Sequence, residues 1–399
     1  MPDYSSASDS SSSIETFNSI DSLAYANCKT ELRATLKQEF ADFQVDEQLG
    51  FKPTEKGEHL YLRIEKTDQS TVDVAKRLSE VSGVHGSEIG YSGMKDRRAQ
   101  TRQWFSIKLP PSRGAELVTL ESDSLHILES HRNSRKLKIG THRSNHFRVV
   151  LRDCNGAREE FEERLRQIER TGVPNYFGSQ RFGRQLSNLA QVQAWMAAEL
   201  DPTAAAVSSQ AIPKQRFKRS LLLSAARSYL FNQLLSRRLE LGNWNRYVTG
   251  DVLNLDGTER CFALQQSPEW DETLQRRLEQ FDIHITGPLP GDVDSKDRYV
   301  SYGEAADIED AVCKEFSTLM GGLEHFGLKA ARRPLRFRPI DLSWEWRQSE
   351  GVGSAELSAE PSTQLSTEPP EGPGDLILDF SLGKGAYATS LLRELCVTK

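Results

Sequence analysis

The segment GEHLYLRIEKTDQSTVDVAKRLSEVSG, residues 57–83, joins a strand pattern to a helix pattern. Apolar and polar residues alternate over 60–64, as they do in a strand that buries one face. After Ser70, a typical N-terminal cap, apolar residues recur at helical spacing over 74–81. The segment therefore predicts a half-buried strand followed by an amphipathic helix.

Further strand and helix patterns extend this arrangement in both directions along the chain. They do not follow a regular βαβ order, and they contain no internal repeat, so the mixture favours an α+β fold. The predicted strands are DFQVDE (42–47), QWFSIKL (103–109) and HFRVVLR (146–152), the predicted helices are 159–172 and 218–242, and a final strand and helix occupy 376–395.

Length and composition limit the class of protein. The chain has 399 residues, of which 37% are hydrophobic, enough for about two to three domains with buried cores. No stretch approaches the roughly 20 apolar residues that a membrane span needs, and the N-terminus lacks the pattern of a signal peptide. We therefore expect a protein that does not enter the membrane and is located in the cytoplasm.

Motifs for metals and cofactors are not found. The five cysteines are widely spaced and form no CxxC pair, so they predict reduced thiols rather than a disulfide framework or a zinc site. The sequence has no P-loop, no HExxH, no GxSxG and no dinucleotide-binding GxGxxG after a strand. We expect neither a metal nor a cofactor.

The acidity of the chain is concentrated in two segments. The Ser-rich residues 1–26 carry four acids, and the Pro-, Gly-, Ser- and Thr-rich residues 349–375 carry six; neither segment has a Lys or Arg. The first is predicted to be a disordered tail and the second a flexible loop. Without these acids the formal charge of −6 becomes +4. The folded part of the chain is therefore predicted to be mildly basic.

Three basic clusters favour a nucleic-acid partner. HRNSRKLKIGTHRSNHFRVVLR (131–152) holds seven Lys or Arg and no acid, and KQRFKRS (214–220) and RRPLRFRP (332–339) combine cations with Phe. Cations hold a phosphate backbone and aromatic rings stack on bases. Each cluster alone is also compatible with an ordinary solvated face.

The sequence GYSGMKDRRAQTRQWFSI, residues 90–107, is turn-like through Gly90 and Gly93 and runs into the predicted strand 103–109; the loop before that strand places one acid among several cations. Loops on a rigid scaffold often carry chemistry, and a nearby cation keeps a carboxylate ionised for use as a nucleophile or base. The alternative is a structural ion pair in a turn. The acid is Asp96, and the cations are Lys95, Arg97, Arg98 and Arg102.

Four segments resemble the TruD family of tRNA pseudouridine synthases, in the order found in that family. The resemblance runs from about Lys37 to the C-terminus and leaves the Ser-rich tail outside. The family isomerises a uridine of tRNA to pseudouridine without a cofactor, at position 13 in its bacterial members. The segments are GMKDRRAQTRQWF (93–105), GVPNYFGSQRFGRQLSN (172–188), SAARSYLFNQ (224–233) and FSLGKGAYATSLLREL (380–395).

The resemblance implies a catalytic role for Asp96, which occupies the aspartate position of the family motif GxKDxxAxTxQ. This carboxylate would act on the ribose or the base of the target nucleotide. Formation of an ester at C1′, addition to C6 and removal of the 2′ proton remain open alternatives.

The resemblance also implies substrate-binding residues. Asn145 and Phe147 match the family's asparagine and base-stacking phenylalanine, and Phe43 and Tyr387 match positions that line the same pocket. A stacking ring replaces part of what a flipped-out base loses. Lys37 is expected to contact phosphate or to pair with Asp96. On spacing alone, Phe43 and Phe147 are equally well explained as core residues of strands.

The implied architecture is α+β, a pseudouridine synthase fold with a mixed, largely antiparallel sheet. Residues 27–171 and 337–399 form the catalytic domain, which contains the acidic loop 349–375, and an α/β TRUD domain is inserted at 172–336. The three basic clusters are expected to line a groove for tRNA. Leu186 departs from the family pattern, where glycine is expected, and predicts a different turn after Phe182.

The preferred function is thus a tRNA pseudouridine(13) synthase that binds tRNA, not DNA or a membrane, and acts as a monomer. One alternative is an RNA-binding or tRNA-folding protein whose catalysis is secondary or lost. Another is a metal-dependent nuclease, which should need several clustered carboxylates.

Overall fold

The computed structural model describes residues 16–200, 213, 215–264, 269–292, 299–348 and 374–399. They form two compact units. The sheet unit comprises Asn27–Val173 and Phe337–Lys399, and the inserted unit comprises Pro174–Arg336 with the described part of Met1–Ala26. The chain thus leaves the sheet unit, builds the inserted unit and returns to complete the first sheet.

The strands are β1 (Arg33–Leu36), β2 (Phe43–Leu49), β3 (His59–Thr67), β4 (Ile89–Tyr91), β5 (Gln100–Lys108), β6 (Leu125–Asn133), β7 (His142–Asn155), β8 (Val173–Pro174), β9 (Val252–Leu255), β10 (Cys261–Ala263), β11 (Ile283–Leu289), β12 (Ala331–Pro334), β13 (Arg336–Phe337), β14 (Ile340–Arg347), β15 (Gly374–Gly383) and β16 (Val397–Thr398). The helices are α1 (Thr71–Ser82), α2 (Arg158–Thr171), α3 (Ser187–Leu200), α4 (Arg216–Glu240), α5 (Glu272–Glu279), α6 (Gly303–Glu315), α7 (Ser317–His325) and α8 (Ala388–Leu395). Of the helices described, none combines the length and apolar character that crossing a membrane requires.

The sheet unit is built on one large mixed sheet. Seven strands follow the order β14-β15-β7-β2-β5-β3-β6, and β1, β16 and β4 pair at its margins. The β2–β5 and β1–β16 pairs are parallel, and the other pairs of this sheet are antiparallel. The predicted α+β class with a largely antiparallel mixed sheet is confirmed.

Helices cover the sheet through two apolar clusters. Phe147 and Phe380 of the sheet pack with Phe161 of α2 and Leu391 of α8. A second cluster joins β3 and β5 to α1. The cap predicted for α1 is present, because Ser70 Oγ accepts a hydrogen bond of 3.1 Å from the backbone N of Asp73. The cap fixes where α1 begins after β3.

The inserted unit combines a small sheet with helices. Its strands run in the order β10-β9-β11-β12. The long helix α4 is buried on much of its surface between Leu222 and Leu239. This helix therefore forms the centre of the unit.

The prediction of a disordered tail over 1–26 is wrong for residues 16–26. They contain a short 3₁₀ helix, Ile20–Ser22, with Ile20 buried. The ring of Phe17 lies 5.1 Å from that of Tyr229 in α4. Apolar side chains within the Ser-rich stretch thus provide enough burial to order this part. Residues 1–15 lie outside the described residues.

Most of the predicted acidic loop 349–375 also lies outside the described residues. The prediction is wrong for the last two positions, because Gly374 and Asp375 begin β15. Asp375 is buried, and its carboxylate accepts a hydrogen bond of 3.2 Å from the backbone N of Asp153. This carboxylate belongs to the sheet rather than to the loop.

Candidate functional site

Asp96 lies on the connection between β4 and β5, where the sequence predicted a loop. Its Oδ2 atom is 2.6 Å from Nζ of Lys37, and the two side chains are 35% and 19% exposed. Of the two contacts expected for Lys37, the structure therefore has the ion pair. Lys37 follows β1 with a φ of 59°, a conformation that non-glycine residues rarely adopt. Such local strain is characteristic of functional sites.

The Asp96 loop is anchored by hydrogen bonds from its neighbours. Thr71 Oγ1 accepts from the backbone N of Lys95 at 3.0 Å and donates to Gln103 Oε1 at 2.9 Å. Gln103 Nε2 in turn donates to the carbonyl of Gly93 at 2.5 Å. The first residue of α1 and the middle of β5 thereby hold the loop on both sides of Met94.

A buried ion pair supports the same loop. Lys95 Nζ lies 2.5 Å from Glu47 Oε2, with side chains only 5% and 0% exposed. Glu47 Oε1 also accepts a hydrogen bond of 3.2 Å from the backbone N of Trp104. Burial, together with the nearby Lys95 and Lys384 cations, lowers the pKa of His142, the first residue of β7. An uncharged imidazole is thus favoured next to this pair.

Aromatic rings lie next to the Lys37–Asp96 pair. Lys37 Nζ is 4.0 Å from the centre of the Phe43 ring. The Phe43 and Phe147 rings meet edge to face at 6.0 Å, and Phe147 stacks on Phe380 at 5.3 Å with an interplanar angle of 16°. Strand register explains the stack, because Phe147 of β7 is directly opposite Phe380 of β15. Phe43 and Phe147 are thus core residues of strands, and their contact with a substrate stays a prediction.

Asn145 is on the same face of β7 as Phe147, two residues earlier. It is paired in register with Glu47 on β2 and with Leu382 on β15. Within the described part of the chain, its Oδ1 atom is buried and has no hydrogen-bond partner. A buried polar atom of this kind usually has a partner in a native protein, so Asn145 is a good candidate for contacting a ligand.

Tyr387 immediately precedes α8, as its N-cap residue. Its carbonyl accepts a hydrogen bond of 3.0 Å from the backbone N of Ser390. Its predicted contact with the substrate stays a prediction.

Lys66 is a residue of this site that sequence reasoning missed. It is fully buried (0% exposed), and its Nζ donates to the carbonyls of Gln69 at 2.6 Å and of Asp96 at 3.3 Å. Burial lowers its pKa from the usual 10.5 to about 8. A signal was present, because alternation along β3 puts Lys66 on the same face as Leu62 and Ile64.

The expectation that the basic cluster 332–339 lines an open RNA groove is wrong for Arg332 and Arg336, whose side chains are buried, while Arg333 is half-buried. Arg332 Nη2 pairs with Glu309 at 2.6 Å, with side chains 7% and 14% exposed. Arg333 lies 4.1 Å from the Phe177 ring. Arg336 is buried and lies 4.2 Å from the Phe281 ring. These cations are used inside the inserted unit, where acids and aromatic rings from distant parts of the chain meet them.

Some cations of the cluster 131–152 form ion pairs within the sheet unit, and others are exposed. Arg148 pairs with Asp379 at 2.6 Å, and Arg152 pairs with Asp42 at 2.7 Å. Arg135, Lys138 and Arg143 are exposed, on the β6–β7 connection and the start of β7. We call these three residues the basic loop. Residues 215–220 of the third cluster are at the start of α4, where Phe217 is 78% exposed.

The turn after Phe182 has a conformation that glycine favours, although Leu186 replaces the expected glycine. Leu186 has a φ of 60° and Gln185 a φ of 51°. Each non-glycine residue in this left-handed conformation raises the free energy of the folded state by roughly 1–2 kcal/mol. Leu186, in place of the expected glycine, therefore leaves a strained backbone at this turn.

A groove of about 260 Å³ is on the opposite face of the large sheet from Phe147. It contains none of the predicted site residues. Its charged side chains are already paired: Arg148 with Asp379 across the groove, and Asp46 and Arg102 with Arg63 and Glu65 outside its lining. The groove is lined by Gln44, Val45, Asp46, Gln100, Arg102, His146, Arg148 and Asp379.

The fold is shared with a solved structure. The crystal structure of a Methanosarcina mazei protein assigned to tRNA pseudouridine synthase D matches this chain with a TM-score of 0.69. The match covers 94% of this chain and 96% of that chain at 24% sequence identity. The protein therefore has the fold of this class of structures.

Sequence comparison identifies the family. The family model for tRNA pseudouridine synthase D (TruD) matches residues 19–208 and 199–395. The tRNA pseudouridine synthase D of Hydrogenovibrio crunogenus is 36% identical over 381 residues, 96% of this chain and 98% of that protein. That of Methylococcus capsulatus is 39% identical over 378 residues, 94% of each chain. The chain belongs to the tRNA pseudouridine synthase D family. The match begins at residue 19, earlier than the resemblance from Lys37 indicated.

Proposed function

We propose that this protein is a tRNA pseudouridine synthase that isomerises uridine 13 of tRNA, with Asp96 as its catalytic residue. The family match over nearly the whole chain supports the reaction class. The observation that carries the residue assignment is the Lys37–Asp96 ion pair of 2.6 Å, in which Lys37 Nζ also lies 4.0 Å from the centre of the Phe43 ring. It combines a carboxylate, a cation and an aromatic surface in one place.

The reaction needs few chemical groups. The N1–C1′ bond breaks, the uracil turns while it is held, and C5 joins C1′; the C5 proton is released and N1 gains one. A carboxylate can assist through an ester at C1′, addition to C6 or removal of the 2′ proton, and all three need it close to the nucleotide. Asp96 is 35% exposed, so a substrate can reach it.

The remaining residues are proposed to hold the target nucleotide. Phe147, with Phe43, is proposed to replace the stacking lost when a uridine is flipped out. The two residues are 8% and 3% exposed in the free protein, so this stacking requires the rings to be uncovered when the uridine binds. Asn145 is half-buried, and its unpartnered Oδ1, which is buried in the free protein, is proposed to accept a hydrogen bond from the nucleotide once the bound nucleotide uncovers it. Tyr387 is proposed to line the pocket from the start of α8, and Lys37 to orient the Asp96 carboxylate.

A tRNA substrate agrees with the exposed cations of the basic loop, which are suited to phosphate contacts. It also agrees with the predicted cytoplasmic location. The monomeric state stays a prediction.

The first experiment maps pseudouridine in unmodified tRNA after incubation with the wild type, Asp96→Asn and the control Asp282→Asn. Asp282 forms an ion pair with Arg277 in the inserted unit, so its substitution makes the same chemical change elsewhere. We expect wild-type activity from the control and a loss of about 10³-fold or more for Asp96→Asn, with tRNA binding retained.

Each other outcome has a distinct meaning. Full activity of Asp96→Asn would reject its catalytic role. Pseudouridine at another position would reject uridine 13 but retain the reaction. Tight tRNA binding by a wild type that forms no product would favour the RNA-binding alternative.

A further inference from the structure

A buried ammonium group lies behind the Asp96 loop. Lys66 is on β3, next to β5 on one side and β6 on the other, and its side chain does not reach solvent. Its Nζ donates to the carbonyl of Asp96 at 3.3 Å and to that of Gln69 at 2.6 Å. Gln69 immediately precedes the cap of α1, so one cation joins the helix start to the loop.

If Lys66 had only a structural role, its buried charge would lower the stability of the fold. Among the described residues, no carboxylate oxygen lies within ion-pair distance of Lys66 Nζ, and Asp96 pairs with Lys37 instead. A buried cation without a direct counter-ion opposes folding, and an apolar side chain would fill the same space without that cost. Functional sites often contain buried charges of this kind.

Lys66 contacts Asp96 only through the backbone carbonyl of that residue. With no exposed surface, its ammonium cannot touch an RNA substrate. It does hold the carbonyl of the residue whose carboxylate is proposed to act. Small displacements of such a group slow a reaction strongly, because the reacting atoms must meet within a narrow range of distances.

We infer that Lys66 is a positioning residue for the isomerisation, whose ammonium fixes the backbone of Asp96 against the start of α1. This inference rests on the proposed function of Asp96. It assigns to Lys66 the orientation of the carboxylate rather than contact with the substrate.

The test compares Lys66→Met, Lys66→Gln and a matched control, Ser82→Ala. Methionine removes the donors and the charge, and glutamine keeps amide donors without the charge. Ser82 is also 0% exposed and donates to the Leu78 carbonyl at 2.5 Å, at the other end of α1. The readouts are the single-turnover rate of pseudouridine formation at saturating enzyme, tRNA binding and thermal unfolding.

We expect Lys66→Met to lower the single-turnover rate by about 100-fold and Lys66→Gln by about tenfold, with tRNA affinity changed less than about twofold. Ser82→Ala should lose stability but keep its rate. If Lys66→Met fails to fold, the rate of Lys66→Gln still tests the inference. Rates for both folded Lys66 variants within about twofold of the wild type would overturn the inference, as would rate losses that merely follow the loss of folded protein.

The pH profile provides a readout that a merely structural role would not change. Asp96 and Lys95 on the loop and Asp73 on α1 are the charged groups acting on Lys66, whose pKa burial lowers to about 8. Lys66 is charged below that pH, so the wild-type rate should decline as pH rises through it. Lys66→Gln should lack this decline. The same decline in both proteins would contradict the inference.

The wild type separates the two proposals. If it forms no pseudouridine, the proposed function fails, and the inference falls with it. If the wild type is active and Asp96→Asn is not, while the Lys66 variants keep the wild-type rate, only the inference fails.

Discussion

Lys95 and Glu47 place two opposite charges in the interior next to Asp96. The ion pair is 2.5 Å long, and its side chains are 5% and 0% exposed. Such a pair contributes little net stability, because desolvation offsets the attraction, but loss of one partner leaves a buried charge uncompensated. The pair therefore fixes the loop more than it stabilises the fold.

At this scale we expect Glu47→Gln to lower the free energy of unfolding by about 3 kcal/mol, because Lys95 would remain buried without its counter-ion. Urea unfolding checks this. Glu116→Gln is the matched control, because Glu116 pairs with Arg113 at the surface, where loss of the pair should cost less than about 1 kcal/mol. Equal effects of the two substitutions would show that the buried pair does not have this role. The double variant Glu47→Met/Lys95→Met should recover most of the lost stability.

Among the elements, short β4 and its glycine determine how the Asp96 loop begins. Gly90 pairs in register with Ser106 of β5. A Cβ atom at position 90 would lie 2.2 Å from the Leu137 carbonyl and 2.6 Å from Ser106 Oγ. The sequence predicted a turn-like stretch through Gly90 and Gly93, which is wrong at Gly90 because this residue lies in β4. The need for glycine comes from the close approach of the β6–β7 connection.

We therefore expect Gly90→Ala to destabilise the protein by about 1–3 kcal/mol, as overpacking does in a filled interior. Gly86→Ala is its control, since a Cβ at position 86 meets no atom within 4 Å. Thermal unfolding of the two variants measures the difference. A control as unstable as Gly90→Ala would indicate a general cost of alanine rather than the contact with Leu137.

At the scale of the whole molecule, some cations that cluster in the sequence are paired with acids, and others are exposed. Arg148, Arg152 and Arg332 are paired with acids that are distant in sequence. The cations of the basic loop remain exposed. RNA affinity should therefore depend on that loop more than on the number of cations in each cluster.

The triple variant Arg135→Ala/Lys138→Ala/Arg143→Ala should weaken tRNA binding and reduce the slope of log K against log salt by about 2–3, or 0.7–0.9 for each lost phosphate contact. Arg158→Ala/Arg166→Ala/Arg170→Ala is the control. It changes the net charge equally, but on α2, where these arginines pair with Glu162 and Glu163. Binding titrations at several salt concentrations measure both slopes. Equal slopes for the two triple variants would reject the basic loop as a contact.

The sequence by itself determined several of the elements and the position of the Asp96 loop. Strand and helix periodicities reflect which side chains are buried, and the pattern from Leu60 to Val81 therefore predicted β3 and α1. Local chemistry also specified the Ser70 cap. These features depend on neighbours within a few residues, which a single sequence displays directly.

Tertiary structure alone decided which polar groups are paired and which remain available. The contact of Lys66 with the Asp96 carbonyl, the Glu47–Lys95 pair and the orphan oxygen of Asn145 all depend on packing between distant segments. The same is true of the arginines of 332–339, which a sequence displays only as a basic run. Pairing and desolvation depend on distances in space, and these follow from sheet register and packing rather than from spacing along the chain.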